Sequence, residues 1–397
     1  MISNQRPNSS LEYKHDKNST KSTILITDGI CDACRFAELK KTQIDWAARD
    51  AELRELSASL KKHPGKYNCL VPGSGGKDSF YQSHILKYKY GFRPLTITWA
   101  PHMYTEWGWQ NFQSWIASGF DNYLVTPNTQ VHRLLTRLAV DKLFHPFQPF
   151  IIGQKALAPK LADLFNIPLV FYGENEAEYG NPIADTESAL RDYKYFTAND
   201  PSEIFISGTP VSKLIRDYGI DEYELQQYLP ANPDHLAEKR IEIRYLGYYL
   251  NWHPQSAYYY AVEHGGFVPS PERTPGTYSK YNSIDDKVDD LHYFTTYVKF
   301  GIGRATYDAS QEIRNEDITR EEGVALVNRF DGEWPARFET ELMQYLSIDP
   351  RMGSKVLSQF QNPTMTKESF LDLADEFRSP HLWMQEGETW KLRSQVS

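Results

Sequence analysis

The chain has 397 residues, enough for two or three domains, and its 43 Lys and Arg against 52 Asp and Glu give a net charge of −9. An acidic chain is a poor candidate for gripping nucleic acid by bulk electrostatics. No apolar run approaches the roughly 18 residues of a membrane helix, so we expect no nucleic-acid and no membrane partner. The polar N-terminus lacks the apolar core of a secretory signal, and only three cysteines are present. These features predict a cytoplasmic protein.

The order of predicted elements indicates three regions. Residues 1–66 are predicted to form an arm, a turn containing two cysteines, and a charged helix over 36–60. Short apolar segments then alternate with helical patterns, which is typical of a doubly wound, mostly parallel sheet. The predicted strands are 68–72, 95–99, 122–126, 150–153 and 169–172, and the predicted helices are 80–90, 109–118, 130–143 and 157–165. We therefore expect a five-stranded α/β domain over 67–240, followed by a mainly helical substrate-binding region over 241–397 that a loop at 269–276 interrupts.

A glycine-rich segment follows the first predicted strand and opens a helix. It consists of Ser74, Gly75, Gly76, Lys77, Asp78 and Ser79. Glycines let the backbone approach an anion, and the N–H groups at a helix start point toward it. Lys77 adds a cation, and Asp78 is a natural Mg²⁺ ligand beside a phosphate. The Walker A pattern fails because Asp78 follows the lysine. The alternative is a strand–helix turn that binds nothing.

This segment resembles the pyrophosphate loop (PP-loop) of the N-type ATP pyrophosphatase superfamily. Four further segments resemble the N-acetyl sugar amidotransferase family of bacterial O-antigen and pseudaminic-acid-type sugar pathways. They are 29–34 (GICDAC), 172–180 (YGENEAEYG), 299–306 (KFGIGRAT) and 318–323 (ITREEG). The resemblance covers about residues 28 to 335. It implies a PP-loop ATPase fold, ATP and Mg²⁺, and an enzyme that adenylates the N-acetyl oxygen of an acetamido sugar acid. Ammonia then replaces that oxygen to give an acetamidino group, with release of AMP and pyrophosphate.

Further site residues are expected where strands end, because ligands of open α/β sheets bind at the carboxyl ends of the strands. Trp99 is a candidate to flank the adenine, with a core aromatic as the alternative. Gly153 and Gln154 are candidates to approach the α-phosphate or ribose. Glu174 and Asn175 are candidates for catalysis or Mg²⁺ binding, with a capped turn as the alternative. The same loop offers two candidate sugar contacts, which are Glu178 and Tyr179.

The C-terminal half offers four candidate substrate contacts. Lys299 and Arg304 are expected to bind a phosphate or a sugar carboxylate. Asp285 and Asp286 could face the same site, although aspartate pairs are often solvated helix caps. Thr319 is expected to cap a helix that starts at the next residue, which is a structural role.

The cysteines allow two interpretations. Cys31 and Cys34 have the spacing of half of a four-cysteine zinc site, and two thiols without a metal are the alternative. Cys69 lies inside a predicted strand and is expected to be buried. None of the three has the sequence surroundings of a glutaminase nucleophile. We therefore expect a separate glutaminase subunit to supply ammonia.

Two other classes of protein remain open. A PP-loop enzyme that modifies tRNA, by thiolation or lysidine-type chemistry, would use the same adenylation on a base. The net charge of −9 and the lack of a basic patch with interleaved aromatics disfavour it. A non-catalytic nucleotide-binding module is the other class, and it would not need both Lys77 and Asp78. Pyrophosphate release that depends on an acetamido sugar acid would distinguish the three.

Overall fold

A parallel sheet with helices on both faces organises the chain, and the computed structural model describes residues 13–20, 24–174, 188–191 and 204–396. In chain order the strands are β1 (Ile26–Thr27), β2 (Ile30–Cys31), β3 (Cys69–Pro72), β4 (Pro94–Trp99), β5 (Asn122–Val125), β6 (Leu169–Tyr172), β7 (Phe205–Ile206), β8 (Thr209–Pro210), β9 (Glu242–Tyr245), β10 (Trp383–Glu386) and β11 (Thr389–Leu392). The helices are α1 (Asp32–Thr42), α2 (Trp46–Ser59), α3 (Lys77–His84), α4 (Glu106–Ala117), α5 (Thr129–Leu143), α6 (Gln148–Phe165), α7 (Val211–Tyr218), α8 (Glu222–Leu225), α9 (Pro233–Glu238), α10 (Leu246–Tyr249), α11 (Pro254–Gly265), α12 (Val288–Phe300), α13 (Arg304–Arg314), α14 (Arg320–Phe330), α15 (Glu339–Leu346), α16 (Ser354–Leu357) and α17 (Lys367–Phe377).

The central sheet has the strand order β5-β4-β3-β6-β9, and all its pairs are parallel. Leu70 of β3 is opposite Leu95 on one side and Val170 on the other. The chain first adds strands on one side of β3 and then on the other, so the order reverses between β3 and β6. Ligands of open α/β sheets bind at such a reversal point. The predicted doubly wound five-stranded sheet with a mainly helical C-terminal region is confirmed.

One predicted strand and one predicted boundary are wrong. Residues 150–153 are part of α6 rather than a strand, and the fifth strand is instead β9. Because β9 begins at Glu242, the sheet extends beyond the predicted domain boundary at residue 240. The apolar run 150–153 belongs to a helix that is buried on several sides, and such a run has no clear helical period.

Side chains of the strands alternate between two cores. On β3, Cys69 and Val71 face one core, whereas Leu70 faces the other. The burial predicted for Cys69 is thus confirmed. The first core packs α1-side residues such as Leu53 against the sheet, and the second lies under α5 and α6. Burial of each large aliphatic side chain stabilises the sheet by roughly 1.5–3 kcal/mol.

Local capping determines where several helices begin. The helix predicted over 36–60 is divided into α1 and α2, because Asp45 accepts a hydrogen bond from the Ala48 backbone N–H and starts a new helix. Thr319 and Glu322 form a capping box at α14, which confirms the predicted cap. In the part of the chain that the structure describes, no helix has the length and apolar character needed to cross a membrane.

Candidate functional site

The glycine-rich loop between β3 and α3 has a backbone shape that requires glycine. Gly75 has φ +90°, and a Cβ atom there would lie 2.6 Å from the Phe112 Cα atom. The Ser74 backbone N–H donates a hydrogen bond of 3.1 Å to Ser79 Oγ, which closes the loop on itself. By contrast, a Cβ atom on Gly76 would meet only Ser74 Oγ, at 3.9 Å. The loop therefore has a packed side and an open side, and the open side faces the N–H groups that begin α3.

Lys77 and Asp78 form the first turn of α3 beside this loop. The Lys77 side chain is buried, and its Nζ lies 2.5 Å from Asp78 Oδ2. The other oxygen, Asp78 Oδ1, is buried and has no hydrogen-bond partner among the residues that the structure describes. An unpaired buried acceptor costs about 1–3 kcal/mol, and carboxylate oxygens are the ligands that Mg²⁺ prefers. The residues at the loop thus fit a magnesium ion held beside an anion.

Asp285, from the C-terminal half of the chain, lies against the loop. Its half-buried carboxylate accepts a hydrogen bond from the Ser74 hydroxyl. Burial raises the pKa of Asp285, and the Ser74 hydrogen bond opposes that shift. A Cβ atom on Gly108 of α4 would lie 2.4 Å from the Asp285 Cα atom, so α4 packs directly on this segment. The predicted substrate contact Asp285 is therefore placed at the loop itself.

Asp286 holds the loop that follows β4. The buried carboxylate accepts a hydrogen bond from His102 Nδ1 at 2.7 Å and another from the His102 backbone N–H at 2.7 Å. It also accepts from the backbone N–H groups of Met103, at 3.2 Å, and Val288, at 3.0 Å. Because these bonds use both oxygens, Asp286 positions the strand end rather than facing an open cleft. His102 and Asp286 are 184 residues apart in sequence.

Asp289, in the first turn of α12, adds a further buried carboxylate. Burial raises the pKa of Asp289 well above its ordinary value, and the charges of Asp285, Asp286 and Asp290 raise it further. The positive charge of Arg304 acts in the opposite direction. These interactions place four aspartates and one arginine within electrostatic reach of each other near the loop.

Asp290 forms a buried ion pair with Arg337. Two hydrogen bonds join them, from Arg337 Nη2 to Oδ1 at 2.7 Å and from Nε to Oδ2 at 3.1 Å. Burial raises the pKa of Asp290 to about 6, although the guanidinium holds it down. The pair links α12 to the 3-10 turn that contains Arg337, at residues Ala336–Phe338. It therefore fixes the helix that carries the aspartates.

Arg304 and Glu174 approach the same region from two different elements. Arg304 begins α13, and its Nε donates a hydrogen bond of 2.8 Å to Asp308 Oδ1. Its guanidinium lies 5.3 Å from the centre of the Tyr293 ring. The negative charges of Asp289 and of Glu174, which follows β6, both act on Arg304. The structure thus brings the predicted residues Glu174 and Arg304 into one electrostatic group.

Three predicted nucleotide contacts lie elsewhere. The Trp99 ring is buried in the core, where it contacts Tyr228 and His132 with ring centres 5.4 Å and 6.1 Å away. Gly153 lies in α6, where a Cβ atom would be 2.3 Å from the Trp99 ring, so this glycine permits close helix–sheet packing. Gln154 also lies within α6. The topological argument for these glycine and glutamine positions was wrong because no strand ends there.

The remaining predicted substrate contacts divide into two groups. Lys299, near the end of α12, is buried and donates a hydrogen bond to the Leu143 carbonyl oxygen at the end of α5. That contact joins two helices and is not a loop contact. Asn175, Glu178 and Tyr179 lie outside the described residues.

Sequence reasoning missed His102, Asp289 and Asp290. His102 follows β4 at its carboxyl end, and a polar residue in that position was an available signal. Asp289 and Asp290 follow the predicted aspartate pair by a few residues. Their burial depends on how α12 packs, which the local sequence does not report.

Cys31 and Cys34 form a pair remote from the loop contacts described above. Their Sγ atoms lie 3.5 Å apart, and both residues are free thiols. Among the described residues, no group of three or more His, Cys, Asp or Glu side chains is arranged to hold a metal ion. The zinc hypothesis therefore remains a prediction with two ligands identified.

Comparisons with known proteins relate part of the chain to sugar biosynthesis. Residues 275–365 match the family model described as "LPS biosynthesis protein WbpG-like, C-terminal domain". A second similarity is to an uncharacterised protein, MJ1599, of Methanocaldococcus jannaschii, with 44% identity over 46 residues. That stretch is 12% of this chain and 17% of that protein, so it covers only a small part of either.

The fold and the site define a doubly wound α/β protein with an anion-binding type of loop at its reversal point. The matched C-terminal segment contains Asp285, Asp286, Asp289 and Arg304, which are the groups that lie against the loop or near it. The match supports a role as an enzyme of lipopolysaccharide or related sugar biosynthesis.

Proposed function

We propose that this chain is an ATP-dependent N-acetyl sugar amidotransferase of surface-polysaccharide or flagellin-glycan biosynthesis. It converts the acetamido group of a sugar acid into an acetamidino group, with formation of AMP and pyrophosphate. The observation that carries the proposal is the contact between Ser74 of the loop and Asp285 of the segment similar to a lipopolysaccharide biosynthesis domain. This contact brings a candidate nucleotide loop and a candidate sugar region to one place.

The loop is suited to hold the β- and γ-phosphates, which leave together as pyrophosphate. Its open side at Gly76 gives an anion access to the start of α3, and Lys77 provides a positive charge. Asp78 Oδ1 is the group we expect to bind Mg²⁺, which when bound neutralises phosphate charge. Held in this way, ATP would present its α-phosphorus toward the acidic group of the C-terminal segment.

The chemistry requires activation of a poor electrophile. Attack of the amide oxygen on the α-phosphorus forms an O–P bond and breaks the bond to pyrophosphate. Ammonia then adds to the activated carbon, and the C–O bond breaks with AMP as the leaving group. The protein's part is to position the acceptor and to exclude water, because water would hydrolyse the adenylate.

The acidic group suits the product of this reaction. An acetamidino group is cationic at neutral pH, so carboxylates such as Glu174, Asp285 and Asp289 favour charge that develops as ammonia adds. Arg304 is the cation in the same group and is suited to a sugar carboxylate. We therefore assign the sugar to the space between the loop, α12 and the start of α13.

The experiment is to incubate the purified protein with ATP, Mg²⁺, ammonium and a panel of free and nucleotide-linked acetamido sugar acids. We expect pyrophosphate release with one class of sugar, and a product about 1 Da lighter, because NH replaces O. RNA-dependent pyrophosphate release would instead favour a tRNA-modifying enzyme. Absence of release with every sugar and with RNA would favour a nucleotide-binding module.

The ammonia source is a separate prediction. Cys69 is buried, and Cys31 and Cys34 lie against each other, so the thiols of this chain do not support a glutaminase triad. We expect glutamine labelled with ¹⁵N at its amide to label the product only when a glutaminase is added. Label in the product without a second protein would show that this chain has its own glutaminase site.

A further inference from the structure

Cys31 and Cys34 are placed as a pair by the start of α1, away from the residues used above. Cys31 ends β2 and is the N-cap residue of α1, with φ −80° and ψ 157°, and Cys34 follows in the first turn. Their Sγ atoms are 3.5 Å apart. A disulfide bond would require them to approach by about 1.5 Å more. Cys34 is exposed and Cys31 is half-buried, so reagents in solution can reach the pair.

The surroundings make the two sulfur atoms chemically different. The hydrogen bond that Cys31 shares with Cys34 lowers the pKa of Cys31 to about 5, although burial opposes this. Backbone N–H groups at the helix start and the positive charge of Arg314 act in the same direction as that hydrogen bond. The same hydrogen bond raises the pKa of Cys34. At neutral pH the pair therefore contains one thiolate, on Cys31, and one thiol, on Cys34.

Both cysteines line a cavity of about 370 Å³ between the N-terminal segment, α13 and α14. Its walls are mainly aliphatic, with Ile313 and Val327 among them, and Arg314 is the nearby cation. The cavity gives a molecule larger than water access to the sulfur pair. By contrast, Cys69 is fully buried within β3, and burial raises its pKa.

We propose that Cys31 and Cys34 form a redox-active dithiol that exchanges with low-molecular-weight disulfides, with Cys31 as the attacking sulfur and Cys34 as the resolving sulfur. With oxidised glutathione as the oxidant, the Cys31 thiolate forms an S–S bond to one glutathione sulfur and releases the other glutathione as a thiolate. Cys34 then loses its proton and attacks the Cys31 sulfur, which releases the second glutathione. The two cysteines are oxidised by two electrons, and one oxidised glutathione becomes two reduced molecules.

This activity fits the use of cysteine in a reducing compartment. Disulfides in such compartments are usually transient and serve catalysis or redox sensing rather than folding. Oxidation would join two walls of the cavity by a covalent bond and would remove the negative charge of Cys31. The proposal stands independently of the sugar reaction, because it concerns a different cavity.

The first test treats the reduced full-length protein with oxidised glutathione and follows intact mass. The wild type should lose two hydrogen atoms and carry no stable adduct. Cys34→Ser should accumulate one glutathione adduct on Cys31, because nothing resolves it. Cys31→Ser should react at least about ten-fold more slowly at pH 6.5, and the buried-site control Cys69→Ser should behave as the wild type does.

The second test measures alkylation of Cys31 in the wild type by peptide mapping between pH 6.5 and 8.5. The rate should stay within about two-fold, whereas an ordinary thiol should become roughly 50-fold faster over this range. Two results would overturn the proposal. One is a Cys34→Ser variant that gains no adduct, and the other is a Cys31 alkylation rate that rises with pH like that of an ordinary thiol.

Discussion

Asp78 has one carboxylate oxygen paired with Lys77 and one buried oxygen that has no partner among the described residues. If that oxygen binds Mg²⁺ beside the phosphates, Asp78→Asn should lower sugar-dependent pyrophosphate release at least about 100-fold. The melting temperature should change by only about 2 °C, because the side chain is 42% exposed. A matched control is Asp217→Asn, which removes a carboxylate from an exposed pair with Arg216. Activity in Asp78→Asn close to that of the control would remove Asp78 from the site.

Asp290 and Arg337 allow a pH-dependent prediction. Burial raises the pKa of Asp290 to about 6, so a proton on this group stabilises the folded state at low pH and is lost as the pH rises through 6. Arg337→Met removes the charge that holds this pKa down and leaves a buried carboxylate uncompensated. We expect a loss of about 3 kcal/mol in the free energy of unfolding at pH 8, and a clearly smaller loss at pH 5. Urea unfolding at the two pH values measures both, and equal losses would contradict the account.

At the scale of elements, the loop between β3 and α3 supports a paired prediction. Gly75→Ala places a Cβ atom 2.6 Å from the backbone of α4 at a positive φ, so we expect a destabilisation of about 1–3 kcal/mol and loss of activity. Gly76→Ala meets open space, so the melting temperature should stay near that of the wild type. Its methyl group would occupy the space assigned to pyrophosphate and should raise the KM for ATP. An unchanged KM in a folded Gly76→Ala protein would show that the phosphates bind elsewhere.

The elements that the sequence predicts well are those with a clear period or a clear stop. The helix over Thr129–Leu143 and the first three strands of the sheet match their predicted positions within two residues. The segment 150–153 was misassigned because α6 is buried along most of its length, which hides a helical period. Strand β9 (EIRY) was missed because its short run mixes charged and apolar residues at the edge of the sheet.

At the scale of the whole molecule, the site depends on contacts between distant parts of the chain. The glycine-rich loop could be predicted from sequence, since its residue types are local and their spacing is informative. The contacts of Asp285 with Ser74 and of Asp286 with His102 could not, because they arise only when the C-terminal helices pack on the sheet. Trp99 and Lys299 show the converse, since residues of suitable chemistry at suitable sequence positions are used for packing.

The central claim is that the amide oxygen of the sugar is transferred to the α-phosphate of ATP. The most direct measurement uses an acetamido sugar acid with ¹⁸O in its N-acetyl carbonyl, together with ATP, Mg²⁺ and ammonium, and determines the ¹⁸O content of the nucleotide product by mass spectrometry. The account predicts AMP that carries one ¹⁸O atom for each acetamidino group formed. Formation of ADP, or of AMP without ¹⁸O alongside the amidino product, would contradict it.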